Sequence, residues 1–231
     1  MAGDALTSLT NEVISCRRCP RLVEWRERVA TEKRAAFQDD EYWGRPVPGW
    51  GDPEAQLVVI GLAPAAHGAN RTGRMFTGDR SGEWLYRALY DAGFASQPES
   101  IDRNDGLKLF DTWVTAPVRC APPENKPTTQ ERDNCVEWFE RELDLLSRTR
   151  VFLALGQYGF VSLWRYLASR SVEMPRPRPK FGHGCEVSIP GGKTLLMSFH
   201  PSQQNTFTGR LTSEMFDAVF ARARYLTELR R

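Results

Sequence analysis

Residues 57–79 constrain the fold of this chain more than any other segment. Positions 57–60 read Leu-Val-Val-Ile, an apolar run that is typical of a strand buried on both faces of a sheet. Mainly glycine, alanine and proline follow at once in positions 61–69, and small residues let a ligand approach the backbone. Open α/β sheets bind ligands beyond the carboxyl ends of their strands. The segment therefore predicts an α/β fold with a binding site at this loop.

The loop is not a nucleotide-binding loop of either common kind. It contains no Gly-Lys-Ser/Thr for cradling a phosphate and no Gly-x-Gly-x-x-Gly for a dinucleotide. At its end, Phe76 offers a flat apolar face and Asp79 offers a carboxylate. Asp79 or Ser81 can also cap a helix that we predict over residues 82–92.

Strand and helix patterns alternate along the chain. Further strands are predicted over 113–118, 151–155, 185–189 and 193–199, and Pro190-Gly191-Gly192 predicts a hairpin between the last two. Further helices are predicted within 4–36 with a break at Pro20, over 128–147, from Gly156 onward, and over 212–229. This alternation predicts a mostly parallel sheet with helices on both faces, in one domain over residues 1–231.

Composition narrows the class of partner. The net charge of +2 over 231 residues argues against a molecule that is basic all over, so any contact with nucleic acid must be local. Residues 170–184 read either as a basic exposed loop or as an ordinary solvated loop. No apolar run reaches membrane-spanning length, and the N-terminus lacks a signal-peptide pattern. We therefore expect a cytoplasmic protein with no membrane partner.

Cysteine spacing indicates a metal site. Cys16 and Cys19 form a C-x-x-C pair, while Cys120 follows a predicted strand and Cys135 lies on the next predicted helix. Four thiolates can bind zinc or a four-iron cluster, and the single close pair with its following proline favours iron–sulfur. The alternative is that Cys120 and Cys135 are buried apolar thiols. The odd count of five argues against a disulfide framework, and Cys185 has no companion nearby.

These motifs together resemble the uracil-DNA glycosylase superfamily, and within it family 5, the type-B enzymes. The resemblance rests on residues 61–79, which read GLAPAAHGANRTGRMFTGD, and on residues 200–205, which read HPSQQN. It also rests on the spaced cysteines, including the run VRCAPP over residues 118–123. Motifs and cysteines extend over residues 16–205, which is nearly the whole chain.

The resemblance implies a three-layer α/β/α sandwich with a central four-stranded parallel sheet. It also implies a [4Fe–4S] cluster on Cys16, Cys19, Cys120 and Cys135 that staples the N-terminal helical segment to the sheet. The implied activity is hydrolytic removal of uracil from DNA, with hypoxanthine and other deaminated or damaged bases also accepted. The implied partner is mainly double-stranded DNA, and we expect a monomer.

The resemblance assigns roles to residues of the first motif and to the His-Pro corner. His200 would donate a hydrogen bond to a carbonyl oxygen of the departing base, and Phe76 would stack on that base. Gly61, Leu62 and Ala63 would line the pocket through their backbone groups. Without the resemblance, the alternatives are that His200 is a structural strand terminus and that Phe76 is a core aromatic.

Asp79 is the nearest carboxylate left to orient water or to stabilise the sugar cation. Most of the superfamily carries Asp, Asn or Glu in the first motif, but Leu62 and Ala63 occupy those positions here, as is typical of family 5. The competing interpretation is that Asp79 only caps the following helix. His67 and Asn205 are second-rank candidates for base or backbone contacts.

Residues 202–210 are expected to enter the DNA groove and to fill the space left by the flipped base. Gln203, Gln204 and Phe207 are the candidate wedges. A separate set of cations is predicted to neutralise phosphates, namely Arg71, Arg74, Arg210 and the 170–180 loop.

Two other function classes remain open from the sequence. One is a metal-stapled nucleic-acid-binding module without catalysis, in which Leu62 and Ala63 mark a lost active site. The other is a phosphate- or nucleotide-binding enzyme that uses the first loop, against which the missing Gly-Lys-Ser/Thr argues.

Overall fold

The computed structural model describes residues 2–170 and 173–228, and within them a six-stranded mixed sheet forms the centre of the fold. Its strands lie in the order β1-β3-β2-β4-β6-β5. Their bounds are β1 Trp50–Gly51, β2 Leu57–Ile60, β3 Thr112–Thr115, β4 Val151–Leu155, β5 Glu186–Ile189 and β6 Lys193–Ser198.

The expected sheet of four parallel strands is wrong in its strand count. β3, β2, β4 and β6 are parallel neighbours, but an antiparallel strand is added at each edge. At one edge, β5 pairs with β6 as the predicted hairpin. At the other edge, β1 has only two residues within a segment rich in proline and glycine. No alternation of apolar and polar residues therefore predicts this strand.

Eight helices surround the sheet in the described part of the chain. They are α1 Ala2–Ile14, α2 Pro20–Glu32, α3 Ala69–Thr72, α4 Arg80–Asp91, α5 Thr129–Leu145, α6 Gln157–Ser169, α7 Gln203–Phe207 and α8 Ser213–Glu228. The capping box at the start of α5 is confirmed, because the Thr128 hydroxyl accepts from the Glu131 N–H and the Glu131 carboxylate accepts from the Thr128 N–H. The predicted last helix extended to Leu229, which lies outside the described residues.

Two apolar cores hold these layers together. On one face, Leu85 of α4 and Phe220 of α8 pack with inward residues of the parallel strands such as Val59. On the other face, Phe139 of α5 and Leu163 of α6 pack with the alternate strand residues. Since successive residues of a buried strand point to opposite faces, the continuous apolar run of β2 serves both cores.

The N-terminal helices attach to the second face. Leu9 and Val13 of α1 form a small cluster with Cys135 and Trp138 of α5. None of the five cysteines takes part in a disulfide. Over the described ranges, no helix is both long enough and apolar enough to cross a membrane.

Candidate active site

A large pocket opens at the carboxyl ends of the parallel strands, where the first motif and the His-Pro corner meet. It is a cavity of about 1000 Å³. Predicted residues on its wall are Leu62, Ala63, His67, Phe76, Asp79, His200, Gln203 and Gln204. The expectation that both motifs share one site is therefore correct in its geometry, because β2 and β6 lie in one sheet and deliver their loops to the same edge.

Phe76 is held in the pocket wall by an unusual backbone conformation. Its φ of 55° lies in the left-handed region, which costs a non-glycine residue about 1–3 kcal/mol. The neighbouring Met75 carbonyl accepts a 2.6 Å hydrogen bond from the buried Tyr86 hydroxyl, which helps to fix this turn. Gly61 lies against the ring, since a Cβ at Gly61 would stand 2.7 Å from two Phe76 ring atoms. Glycine at position 61 therefore makes room for the aromatic platform.

His200 follows β6 and faces Phe76. The two ring centroids are 5.7 Å apart, and the ring planes are inclined by 27°. Burial lowers the pKa of His200 to about 4, so the imidazole is neutral near pH 7. Gly156, at φ 89°, lies beside it, and a Cβ there would stand 3.3 Å from the His200 Cβ. The site thus presents a neutral imidazole with one N–H to donate.

Asp79 caps α4 and also lines the pocket. Its Oδ1 accepts a 2.9 Å hydrogen bond from the Gly82 N–H, which is the capping role named as the competing interpretation. The carboxylate lies against Gly68, where any Cβ would overlap its Oδ2. Burial raises the pKa of Asp79, although the Gly82 and Ser81 N–H groups oppose this. A carboxyl of raised pKa in a pocket suits proton transfer better than an exposed one does.

The two second-rank candidates have different positions. His67 lines the pocket, and its Nδ1 lies 3.0 Å from the Tyr42 hydroxyl. Burial is the main cause that lowers its pKa. Asn205 is not among the pocket residues; its amide donates a 2.8 Å hydrogen bond to the His200 carbonyl. Asn205 therefore supports the His-Pro corner, and its predicted base or backbone contact stays a prediction.

Arg71 and Arg74 are used inside the protein, contrary to their predicted phosphate contacts. Arg71 is half-buried, pairs with Asp40 at 2.5 Å and donates to the carbonyls of His67 and Gly78. Arg74 is only 5% exposed and pairs with both carboxylate oxygens of Asp105. Both guanidinium groups fasten the first motif to neighbouring loops, so neither is free to meet DNA.

The segment after His200 forms a short helix at the pocket mouth. Gln203 and Gln204 line the pocket, and their role as wedges stays a prediction. Phe207 is 67% exposed, and the Arg80 guanidinium lies 4.6 Å above its ring centroid. Arg210 lies over the Phe199 ring at 4.5 Å, and its contact with a phosphate stays a prediction.

The sequence did not predict several of the residues that line the pocket. Trp25 of α2 and the following Arg34 and Phe37 line one wall, and Asn125 lines the mouth. Asn125 and its neighbour Glu124 both have positive φ, a conformation that is uncommon outside glycine. Trp25 and Arg34 fall within the predicted helical residues 4–36 and Phe37 comes directly after them, and neither pattern gives a sign that these side chains reach the site.

The four predicted metal ligands line a second, small cavity between α2, α5 and the turn after β3. Cys16, Cys19, Cys120 and Cys135 all contribute to its wall. Burial raises the pKa of Cys120 to about 11 and that of Cys135 to about 12, so a metal would have to displace their protons. In the described ranges, no three His, Cys, Asp or Glu side chains are grouped closely enough to hold one metal ion.

N–H donors without acceptors also surround this cavity. Arg26 donates a 2.9 Å hydrogen bond from Nη1 to the Cys120 sulfur, while its own Nε is buried without a partner in the described structure. The Nε of Arg119 and the Nε1 of Trp138 are buried and unpartnered in the same way, and both residues line the cavity. Buried donors require acceptors, and thiolate or sulfide sulfur would supply them. The donor set therefore fits a sulfur-rich cluster, whose thiolates bind different iron atoms, better than a single ion.

Comparison with known proteins agrees with the resemblance to uracil-DNA glycosylases. A sequence model of the uracil DNA glycosylase superfamily matches residues 48–224. A type-5 uracil-DNA glycosylase of Mycobacterium tuberculosis is 54% identical over 218 residues, 94% of this chain and 80% of that protein. One from Thermus thermophilus is 52% identical over 215 residues, 93% of this chain and 95% of that protein. A type-4 uracil-DNA glycosylase of Thermotoga maritima is 27% identical over 68% of this chain and 69% of its own length.

Proposed function

The chain belongs to the uracil-DNA glycosylase superfamily, and on that premise we propose how its pocket removes uracil from DNA and which further bases it accepts. The chain is an enzyme of DNA repair that releases uracil. The observation that carries the proposed mechanism is the convergence of Phe76, Asp79 and His200 on one cavity. An extruded base lies against Phe76, whose ring tolerates many base identities.

His200 stabilises the departing base. When the bond between sugar and base breaks, the electron pair stays on the base, and negative charge develops on its carbonyl oxygens. The neutral imidazole donates its N–H to one of these oxygens. One well-placed donor of this kind accounts for a factor of about 100 to 1000 in rate. The low pKa of about 4 supports this role, because it fixes the neutral form in advance.

Asp79 acts on the sugar side. Its Oδ1 is engaged by the Gly82 N–H, which fixes the carboxylate in one orientation. The carboxylate orients a water molecule and stabilises the positive charge on the sugar. As the water oxygen bonds to the sugar carbon, its proton passes to Asp79 and then to the base, so the products are the neutral free base and an abasic sugar.

The pocket supports a substrate range broader than uracil. Leu62 and Ala63 on the wall carry no polar side-chain atoms that would reject one base by an unpaired donor or acceptor. A cavity of about 1000 Å³ also has room for a purine. Hypoxanthine and other deaminated bases are therefore substrates in this proposal, mainly in double-stranded DNA.

The four cysteines hold a [4Fe–4S] cluster in this proposal. The unpartnered donors of Arg26, Arg119 and Trp138 support it. When bound, the cluster supplies a covalent cross-link between the N-terminal helices and the sheet. Base release exchanges no electrons, so the role is structural. Iron and acid-labile sulfide in the purified protein test this assignment, and stoichiometric zinc without sulfide contradicts it.

A base-release panel tests the whole proposal. Uracil, hypoxanthine and xanthine duplexes are incubated with the wild type, Asp79→Ala and His200→Ala, and abasic sites are counted. We expect release of uracil and hypoxanthine by the wild type and a large loss in both variants. Release of uracil alone contradicts the broad range, and full rates in either variant contradict that residue's role. Binding of the DNA without any abasic product would support the alternative, a nucleic-acid-binding module without catalysis.

A further inference from the structure

We propose that Arg34 and Arg80 bind the phosphates that flank the extruded nucleotide. The inference rests on the proposed function, because it requires a nucleotide in the pocket. When a base enters this cavity, its own backbone phosphates stay at the mouth. Cations at the mouth are then the groups within reach of these phosphates, and both arginines line the cavity.

Both guanidinium groups are free to receive a phosphate. Arg34 and Arg80 are exposed, and neither pairs with a carboxylate anywhere in residues 2–170 and 173–228. In contrast, Arg71 and Arg74 of the motif are committed to Asp40 and Asp105. A buried arginine that left its carboxylate would leave that charge unpaired, which costs several kcal/mol. The unpaired arginines bind an anion without such a loss.

Arg80 is also fixed in position. Its guanidinium lies 4.6 Å above the ring centroid of Phe207, on the short helix that follows the His-Pro corner. Stacking on an aromatic face uses the flat side of the guanidinium and leaves its edge N–H groups available. The stacked group can therefore donate in-plane to a phosphate while Phe207 holds it at the mouth.

Apart from Arg34 and Arg80, the charged residues that line the cavity are acidic. Asp79, Glu83 and Glu124 also line the cavity, and of these three only Glu124 forms an ion pair within residues 2–170 and 173–228, with Lys126 at 3.1 Å. Without Arg34 and Arg80 the mouth would carry net negative charge and would repel the DNA backbone. The positive charge of Arg34 is one of the causes that lower the pKa of His67, so Arg34 acts on a residue of the pocket wall.

The salt dependence of binding tests the assignment. The probe is a duplex with one 2′-fluoro-2′-deoxyuridine, whose sugar–base bond resists cleavage, beside the same duplex with thymidine. The affinities of the wild type, Arg34→Gln, Arg80→Gln and the double variant are measured from 50 to 200 mM salt, a range over which phosphate contacts are resolved. Arg148→Gln is the matched control. Arg148 is 59% exposed and precedes β4, so it lies at the amino-terminal ends of the parallel strands, opposite the pocket.

On the uridine-analogue duplex, each single variant should reduce the slope of log K against log salt by about 0.9, and the double variant by about 1.8. Arg34→Lys and Arg80→Lys should keep most of the slope because they keep the charge. On the thymidine duplex, where no nucleotide is extruded, the slopes should match that of the wild type. Arg148→Gln should match the wild type on both duplexes.

Three results would overturn the proposal. The first is an unchanged slope in the double variant. The second is a slope that falls equally with Arg148→Gln, which would mark a general effect of net charge. The third is an equal fall on both duplexes, which would place the contacts away from the pocket mouth. Failure of the proposed function is seen separately, as absence of uracil release by the wild type on a cleavable duplex.

Discussion

Arg26 and Cys120 are joined by a buried hydrogen bond of 2.9 Å from the guanidinium Nη1 to the sulfur. Arg26 is 2% exposed, and its carbonyl accepts from the side chain of Asn70 in the first motif. Its neighbour Trp25 lines the substrate pocket. Helix α2 therefore contacts the four-cysteine cavity and the pocket at adjacent positions, so one helix contributes to both.

The first prediction concerns Arg26→Met. The change removes a donor to Cys120, a ligand of the proposed cluster, and such partners typically contribute a factor of about 10–100 in metal affinity. We expect iron to be lost at a correspondingly lower chelator concentration, with the KM for the uracil duplex raised more than kcat is lowered. Arg28→Met on the exposed side of the same helix is the control, since Arg28 pairs with Glu24 at 3.5 Å and lies over the Trp25 ring at 5.0 Å, without a hydrogen bond to a cysteine in the described structure. Arg26→Lys should restore part of the retention; equal iron retention by Arg26→Met and Arg28→Met would remove the role.

The second prediction separates the two roles of Asp79. Asp79→Asn keeps an oxygen that can cap α4, so stability should change by less than about 1 kcal/mol. It removes the charge, so uracil release should slow by about 100-fold or more. Asp79→Ala should lose both the rate and about 1 kcal/mol of stability. Single-turnover rates and urea unfolding measure the two effects; a wild-type rate in Asp79→Asn would leave only the cap.

The third prediction concerns the space under Phe76. Gly61→Ala would place a Cβ 2.7 Å from the Phe76 ring, so the ring must move, at a cost of about 1–3 kcal/mol. Uracil release should fall because the platform is displaced. Phe76→Leu in the same chain should relieve the overlap, giving a coupling of about 0.5–3 kcal/mol in a double-mutant cycle. Gly3→Ala is the control, with its nearest neighbour 3.9 Å away. Additive effects of Gly61→Ala and Phe76→Leu would show that the overlap is not the cause.

The position of the site could be predicted from the sequence because it depends on local patterns and one general rule. The β-branched run of β2 and the run before His200 both read as strands, and parallel strands present their carboxyl ends at the same edge. This rule was enough to bring the first motif and the His-Pro corner together. The resemblance to the uracil-DNA glycosylase superfamily is what assigned His200, Phe76 and Asp79 to the pocket, and they lie there.

The same reasoning could not predict which arginines form ion pairs inside the protein. Arg71 and Arg74 look like Arg34 and Arg80 in the sequence, but Asp40 and Asp105 reach the first pair from loops that carry no periodic pattern. Partners from irregular segments are set by tertiary packing, which spacing does not encode. For the same reason Asn205, within a conspicuous motif, is used to hold the His200 carbonyl.

The last prediction concerns the proton on His200. Its folded-state pKa of about 4 lies below the ordinary value of 6.5, so between pH 6.5 and 4 the unfolded chain binds more protons than the folded one. The stability from neutral His200 is therefore fully present above pH 6.5 and is lost as the pH falls toward 4. His200→Asn lacks this titration, while His67 and His183 titrate in both proteins. The unfolding free energy of the wild type relative to His200→Asn should thus decline from pH 7.5 to pH 4.5. In the same range down to about pH 5, the single-turnover rate of the wild type should show no inflection from this imidazole. An inflection near 6.5 that disappears in His200→Asn would mean that the imidazole is solvated and charges freely, and the neutral donor would then have to be abandoned.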